Sequence, residues 1–383
     1  MQFRAIIGQE ELKKHLIESV QLGRVSHAQL FLGPEGSGSL ALAVAYAQYI
    51  LCNNSDGENT TGNSACNLKF EHISHPDMHF VYPITSTDEV KGDSVLSTNF
   101  LDQWRGFVKE NPYGSLFDWY KKLEIPKKQG IISVKESAAI NKNLSLKAYE
   151  GGYKVMIIWM ADKMNIAASN KLLKILEEPT DKTVFILISE NEEDIIQTIR
   201  SRCQVLHFGG LSEKVIADSL ILKENIEASL ADKIAHQSQG NYNKALLLLD
   251  EESEELPFEE WFVSWVRAAF RAKGNAEAIQ DLILWSEQIA SLGRETQKKF
   301  LNFCIDMFRQ ALMLNYETKK LVYMEMKVPK FQLENFAPFV NGNNINDIFK
   351  ELSDAMYHIE RNGNAKIILT DLSIKLTRLI HKK

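Results

Sequence analysis

Residues 154–208 constrain this chain more than any other stretch: KVMIIWMADKMNIAASNKLLKILEEPTDKTVFILISENEEDIIQTIRSRCQVLHF. Lys154–Met160 is a short, almost wholly apolar run, the pattern of a parallel strand buried on both faces. From Asp162 the spacing turns helical, with Leu172, Leu173 and Leu176 on one face until Pro179 stops the run. Thr183–Ile188 reads as a second buried strand. A short helix from Asp194 to about Arg200, then Arg202, lead into a third strand, Gln204–Phe208. Buried strands alternating with helices predict an α/β fold around a parallel sheet.

The start of the chain fits the same class. An amphipathic helix is predicted from Ile6 to about Leu22, then a strand over His27–Leu32, the glycine-rich run Gly33-Pro-Glu-Gly-Ser-Gly-Ser-Leu40, and a helix through about Leu51. Strand, glycine loop and helix form the context of a phosphate loop, whose backbone N–H groups cradle phosphate oxygens. Gly33, Gly36 and Gly38 keep the turn, but Ser39 stands where a lysine should balance phosphate charge. Leu40 stands where a hydroxyl should hold magnesium. In phosphate-loop ATPases a partner strand also ends in carboxylates that bind magnesium and polarise water. Here those places fall to Trp159 and Met160, which cannot bind a hard cation. Asp162, just beyond, reads as the cap of the next helix, with metal ligation as the alternative. The charges for hydrolysis are missing at three places together; residual nucleotide binding by the loop backbone stays open.

The segments Asn170-Lys-Leu-Leu-Lys-Ile-Leu-Glu-Glu-Pro179 and Thr198-Ile-Arg-Ser-Arg-Cys203, with the strand beginning His27-Ala, resemble the AAA+ subunits of the bacterial DNA polymerase III clamp loader over roughly residues 3–250. On spacing alone Arg202 is a surface arginine in a salt bridge. The resemblance implies instead an arginine finger that reaches the ATP of a neighbouring subunit, positioned by Ser201 and Cys203. Cys203 by itself reads as a small buried hydrophobe. Finger retained and pocket emptied together look like the delta-prime members of that family. This implies a non-hydrolysing subunit with no cofactor of its own, ATP being bound by its neighbour. The implied partners are the gamma or tau and delta subunits and, through the complex, the sliding clamp and primed DNA. The alternative is an active AAA+ ATPase of gamma/tau kind with an unconventional site, Lys163 and Asp162 compensating for the losses. A third reading is a DNA-binding module.

That third reading would use the insert at about 85–129, where Trp104, Phe107, Tyr113, Phe117, Trp119 and Tyr120 form either a stacking platform for bases or the insert's own small core. The expected organisation is an AAA+ domain with degenerate motifs over 1–208, a small helical lid over 209–252 and an all-helical collar over 253–383, the last two roles resting on the resemblance. An acidic linker, 250–255 with Pro257, precedes the collar. Lys244 stands near the place where active relatives put a nucleotide-sensing arginine, and reads as a surface residue.

Cys52 and Cys66 bracket a polar loop where the family usually carries four zinc-binding cysteines. Thr60 or Thr61 and Asn63 occupy the middle positions. His72, His75 and His79 lie near enough to complete a site, but the expectation is a loop without metal. Four irregularly spaced cysteines suggest a reducing compartment rather than a disulfide scaffold. A formal net charge of −6 argues against a basic nucleic-acid groove along the whole chain. With no signal-like start and no membrane-length apolar run, a cytoplasmic protein is expected.

Overall fold

The computed structural model describes residues 1–52, 64–150, 152–250, 256–316, 322, 326, 328–329 and 331–382. Thr60, Thr61, Asn63 and most of the acidic linker (251–255) lie outside the described residues. The chain divides into two compact units, Met1–Ile125 with Gln129–Glu251, and Pro126–Lys128 with Glu252–Lys383.

The first unit runs α1 (Glu10–Gln21), β1 (Ala28–Leu32), α2 (Ser39–Leu51), α3 (Ser64–Glu71), β2 (Met78–Val81), α4 (Leu101–Glu110), α5 (Leu116–Lys122), α6 (Val134–Ser145), β3 (Lys154–Ile158), α7 (Ile166–Glu177), β4 (Thr183–Ser189), α8 (Gln197–Arg200), β5 (Gln204–His207), α9 (Glu213–Glu224), α10 (Ala228–Ser238) and α11 (Tyr242–Leu249). Its five strands are parallel in the order β2-β3-β4-β1-β5, so the predicted α/β class and parallel sheet are present. Every residue of β1, β3 and β4 is buried, as their unbroken apolar runs require. The edge strand β5 is partly exposed. One face packs under α2, whose Ala, Leu, Val and Tyr side chains are buried from Leu40 to Ile50. The other carries Ile140 and Leu144 of α6 and Leu172 and Leu176 of α7.

Three local expectations need correction. The first helix starts at Glu10, not Ile6, because Gly8 and Gln9 both take positive φ and break the helical path. The helix before Arg202 starts at Gln197, not Asp194, whose carboxylate accepts from Asn191 Nδ2 at 2.7 Å. Asp162 does not cap α7: it lies in a 3₁₀ turn, and Asn165 makes the cap, accepting from the Ala168 N–H at 2.8 Å.

The insert begins and ends at a bridge between Ile84 and Ile131. Trp104, Phe107, Trp119 and Tyr120 are buried in the core that lies under α2, so they are core rather than an open platform for bases. The helices α9–α11 feed the same core through Ile216, Leu220, Ile234, Tyr242 and Ala245.

The second unit is helical: α12 (Phe258–Arg271), α13 (Ala276–Ala290), α14 (Arg294–Asn315), α15 (Leu333–Phe336), α16 (Ile345–Glu360) and α17 (Ala365–Leu379). Trp265 and Trp285 stack 4.8 Å apart at its centre, and Trp265 Nε1 donates to Ser373 Oγ at 2.9 Å. A buried indole needs such a partner for its N–H. Among the described residues no helix is long and apolar enough to cross a membrane.

Candidate functional site

The glycine loop keeps its turn. Gly36 and Gly38 have φ of 71° and 89°, conformations that suit glycine, and α2 starts at Ser39 just after them. The space in front of the loop is filled by the chain itself. A Cβ placed on Gly36 would lie 1.9 Å from Asn241 Oδ1, and one on Gly38 2.8 Å from the Tyr113 ring. Asn241 Nδ2 donates to Glu35 at 3.2 Å, and the Tyr242 N–H to the Gly36 carbonyl at 3.3 Å. What remains is a cavity of about 20 Å³ lined by the loop, Tyr113, Trp159 and Met160. That holds about one water, whereas small-ligand pockets start near ~300 Å³.

Tyr113 comes from the insert, on the turn after α4. Its hydroxyl accepts from the Ile7 N–H at 2.8 Å, and its ring meets Tyr242 edge-on at 5.0 Å. Burial pushes its phenol far above the ordinary range. Beside it, Asn111 Nδ2 donates to Asn243 Oδ1, and Asn243 Nδ2 to Asp118 Oδ2, both at 2.7 Å. Sequence reasoning placed Tyr113 among the aromatics of the insert and singled out Lys244. Lys244 is half-buried, and the residues on the loop are its neighbours Asn241 and Tyr242. Only the glycines hinted at this, since they permit close approach but do not say of what.

At the end of β3, Trp159 and Met160 are 2% and 4% exposed, so the places of the two carboxylates hold buried apolar side chains. Trp159 lies 5.2 Å from the Trp104 ring and 5.6 Å from Phe107. Leu40, at the place of the magnesium-binding hydroxyl, is buried in the core. Asp162 pairs with Lys163 at 2.8 Å and accepts from Ser189 Oγ at 3.0 Å. The two residues that would have to compensate for the lost charges therefore face each other, and neither lines the cavity.

Arg202 sits just past α8. Its Nη2 lies 2.5 Å from Glu177 Oε1, at the end of α7, and its Nη1 donates to the Thr198 carbonyl at 2.9 Å. Its side chain is 36% exposed, so the fork is held in place yet reachable. Ser201 Oγ donates to the same Thr198 carbonyl at 3.1 Å and accepts from Arg202 Nη1 at 3.5 Å. Cys203 is half-buried, its thiol pushed up to about 11 by burial, so it is a thiol at neutral pH.

Cys52 and Cys66 form a disulfide, a pairing that their irregular spacing with Cys203 and Cys304 did not suggest. Cys66 Sγ, a nitrogen of His75 and an oxygen of Glu150 all lie within 4.8 Å of one another. That set does not suit zinc as it stands. Cys66 is tied to Cys52, and Glu150 accepts from Lys69 Nζ as well as facing His75 Nε2 at 3.2 Å. The other His75 nitrogen accepts from the Asp77 N–H at 3.1 Å.

The model of the family described as "DNA polymerase III, delta subunit" matches residues 8–212. The DNA polymerase III subunit delta' of Bacillus subtilis is 30% identical over 232 residues, 61% of this chain and 56% of that protein. The DNA polymerase III subunit tau of the same organism is 26% identical over 367 residues, 92% of this chain and 54% of that protein. The chain spans about half the length of the curated relatives it matches. A solved DNA polymerase III gamma subunit-related protein from Thermotoga maritima is 14% identical, with a TM-score of 0.38 over 97% of this chain and 99% of that one.

Proposed function

The chain belongs to the DNA polymerase III delta-subunit family, whose model spans more than half of it, and from that premise we propose that it is a non-hydrolysing, delta-prime-like subunit of a clamp loader. In this reading Arg202 completes the ATP site of an adjoining gamma or tau subunit, and a delta subunit packs on the other side. Helices α9–α11 act as the lid and the helical second unit as the collar. ATP-driven opening of the sliding clamp at primed DNA is the work of the whole assembly.

One observation carries the reading: the phosphate-loop cleft is filled by Tyr113 and Asn241, while Arg202 stays at the surface. The charged group is thus available outward and the chain's own pocket is not. In the proposed assembly Arg202 exchanges Glu177 for phosphate oxygens. Its planar fork suits them and stays charged throughout the cycle.

The test is reconstitution with gamma or tau and delta subunits, with Arg202→Ala and Arg202→Lys as variants. The expected result is intact assembly with DNA-stimulated ATP turnover reduced by about 10³-fold for alanine. Lysine is expected to restore little, because it cannot present the fork. Full turnover in the alanine variant would sink the finger.

The second reading, an ATPase of tau kind, draws on the relative that covers 92% of the chain. It requires ATP hydrolysis by the isolated chain. Ser39, Leu40, Trp159 and the Asp162–Lys163 pair weigh against it.

A further inference from the structure

We propose that the insert turn Asn111–Gly114 packs as a wedge against both the glycine loop and α11, beside the direct contacts of Asn241 and Tyr242 with Gly36, and locks the helical segment onto the sheet.

Tyr113 touches three segments at once: the loop, the stretch ahead of α1 and the helices that follow the sheet. Its ring covers Gly38 of the loop, its hydroxyl takes the Ile7 N–H ahead of α1, and its edge meets Tyr242 at the start of α11. Asn111 adds a second tie, to Asn243 of α11, and Asn243 donates in turn to Asp118, whose carboxylate also takes the N–H of Ser115 just after the turn. Gly114 allows the fit, since a Cβ there would lie 2.8 Å from the Phe107 ring. The base of the turn is anchored by Phe107 against Trp159, where an active pocket would need carboxylates. The wedge and the loss of those charges therefore share one set of contacts.

The consequence is a lid position independent of ATP. α11 has only eight residues, too few to be stable in water without packing. If the wedge holds it, removing the wedge should release α11 while the sheet stays folded. The inference concerns the inside of the first unit and stands whether or not Arg202 serves a neighbour.

The experiment is amide hydrogen exchange on the full chain, with and without ATP and magnesium. In the unsubstituted protein the amides of 241–249 should exchange slowly and not respond to ATP. Tyr113→Ala should speed them by about tenfold or more, with β1, β3 and β4 amides unchanged. Asn111→Ala, at a half-buried position, should give a smaller acceleration of the same amides and guards against loss of folding in the tyrosine variant. The proposal is overturned if ATP protects 241–249 in the unsubstituted protein, or if Asn111→Ala leaves them unchanged. It is also overturned if Tyr113→Ala accelerates strand and α11 amides equally, which would mark Tyr113 as a general core residue.

Discussion

Arg202 and Glu177 form an ion pair at 2.5 Å that joins the residue after α8 to the last residue of α7, with side chains 36% and 47% exposed. Such a pair sets direction more than stability, because water and salt screen exposed charges. Arg202→Ala and Glu177→Gln should each change unfolding free energy by less than about 1 kcal/mol. Urea denaturation checks this. A loss of several kcal/mol would make the arginine a structural residue.

The Tyr113 hydroxyl is the acceptor for the buried Ile7 N–H. Tyr113→Phe keeps the ring over Gly38 and removes only that bond. A buried donor left without a partner costs about 1–3 kcal/mol. The same denaturation experiment should show that loss. No change would mean that the Ile7 N–H finds water or another acceptor.

Restoring a carboxylate at the end of β3 should not restore an ATPase. Trp159 is 2% exposed between Trp104 and Phe107. Trp159→Asp removes a large packed side chain and buries an unpaired charge, together costing about 3–5 kcal/mol or more. The expected outcome is a sharply lowered melting temperature and no ATP turnover. A stable, hydrolysing variant would contradict both the packing account and the proposed role.

The Cys52–Cys66 disulfide closes a loop with a sequence separation of 14. Chain entropy gives a cross-link of that span about 3 kcal/mol of stabilisation. Adding a thiol reductant should therefore lower the melting temperature of the first unit. Cys52→Ser with Cys66→Ser should reproduce the shift and abolish sensitivity to the reductant.

Burial lowers the pKa of both His75 and His79 below 6.5. The folded state thus favours neutral rings, and between 6.5 and the folded values the unfolded chain binds more protons. Stability should fall as pH drops through that window and be fully present above it. The buried Glu136 carboxyl, pushed up by burial, works in the opposite sense starting from 4.5. Comparison with His75→Gln isolates the His75 contribution, His79 being present in both. Between about pH 7.5 and pH 5.5 this variant should lose less stability than the unsubstituted protein.

The alternation of buried strands and helices was legible because it is a matter of period and composition along the chain. Val155–Ile158 and Val184–Ile188 read as interior strands from their short, β-branched apolar runs. Ser39, Leu40, Trp159 and Met160 announced a pocket without its charges: Ser39 carries no cation to balance phosphate, and no tertiary arrangement turns Leu40, Trp159 or Met160 into a magnesium ligand. What lies in the emptied pocket was not legible. Tyr113, Asn241 and Gly38 are far apart in sequence, and which aromatic of the insert covers the glycines depends on the insert folding back through the Ile84–Ile131 bridge. A salt bridge for Arg202 was legible from spacing, but not that Glu177 makes it, and the Cys52–Cys66 bond was not legible. Local pattern determines what a side chain can do; only the packed chain determines what it meets, because contacts between distant segments are chosen by shape and burial together.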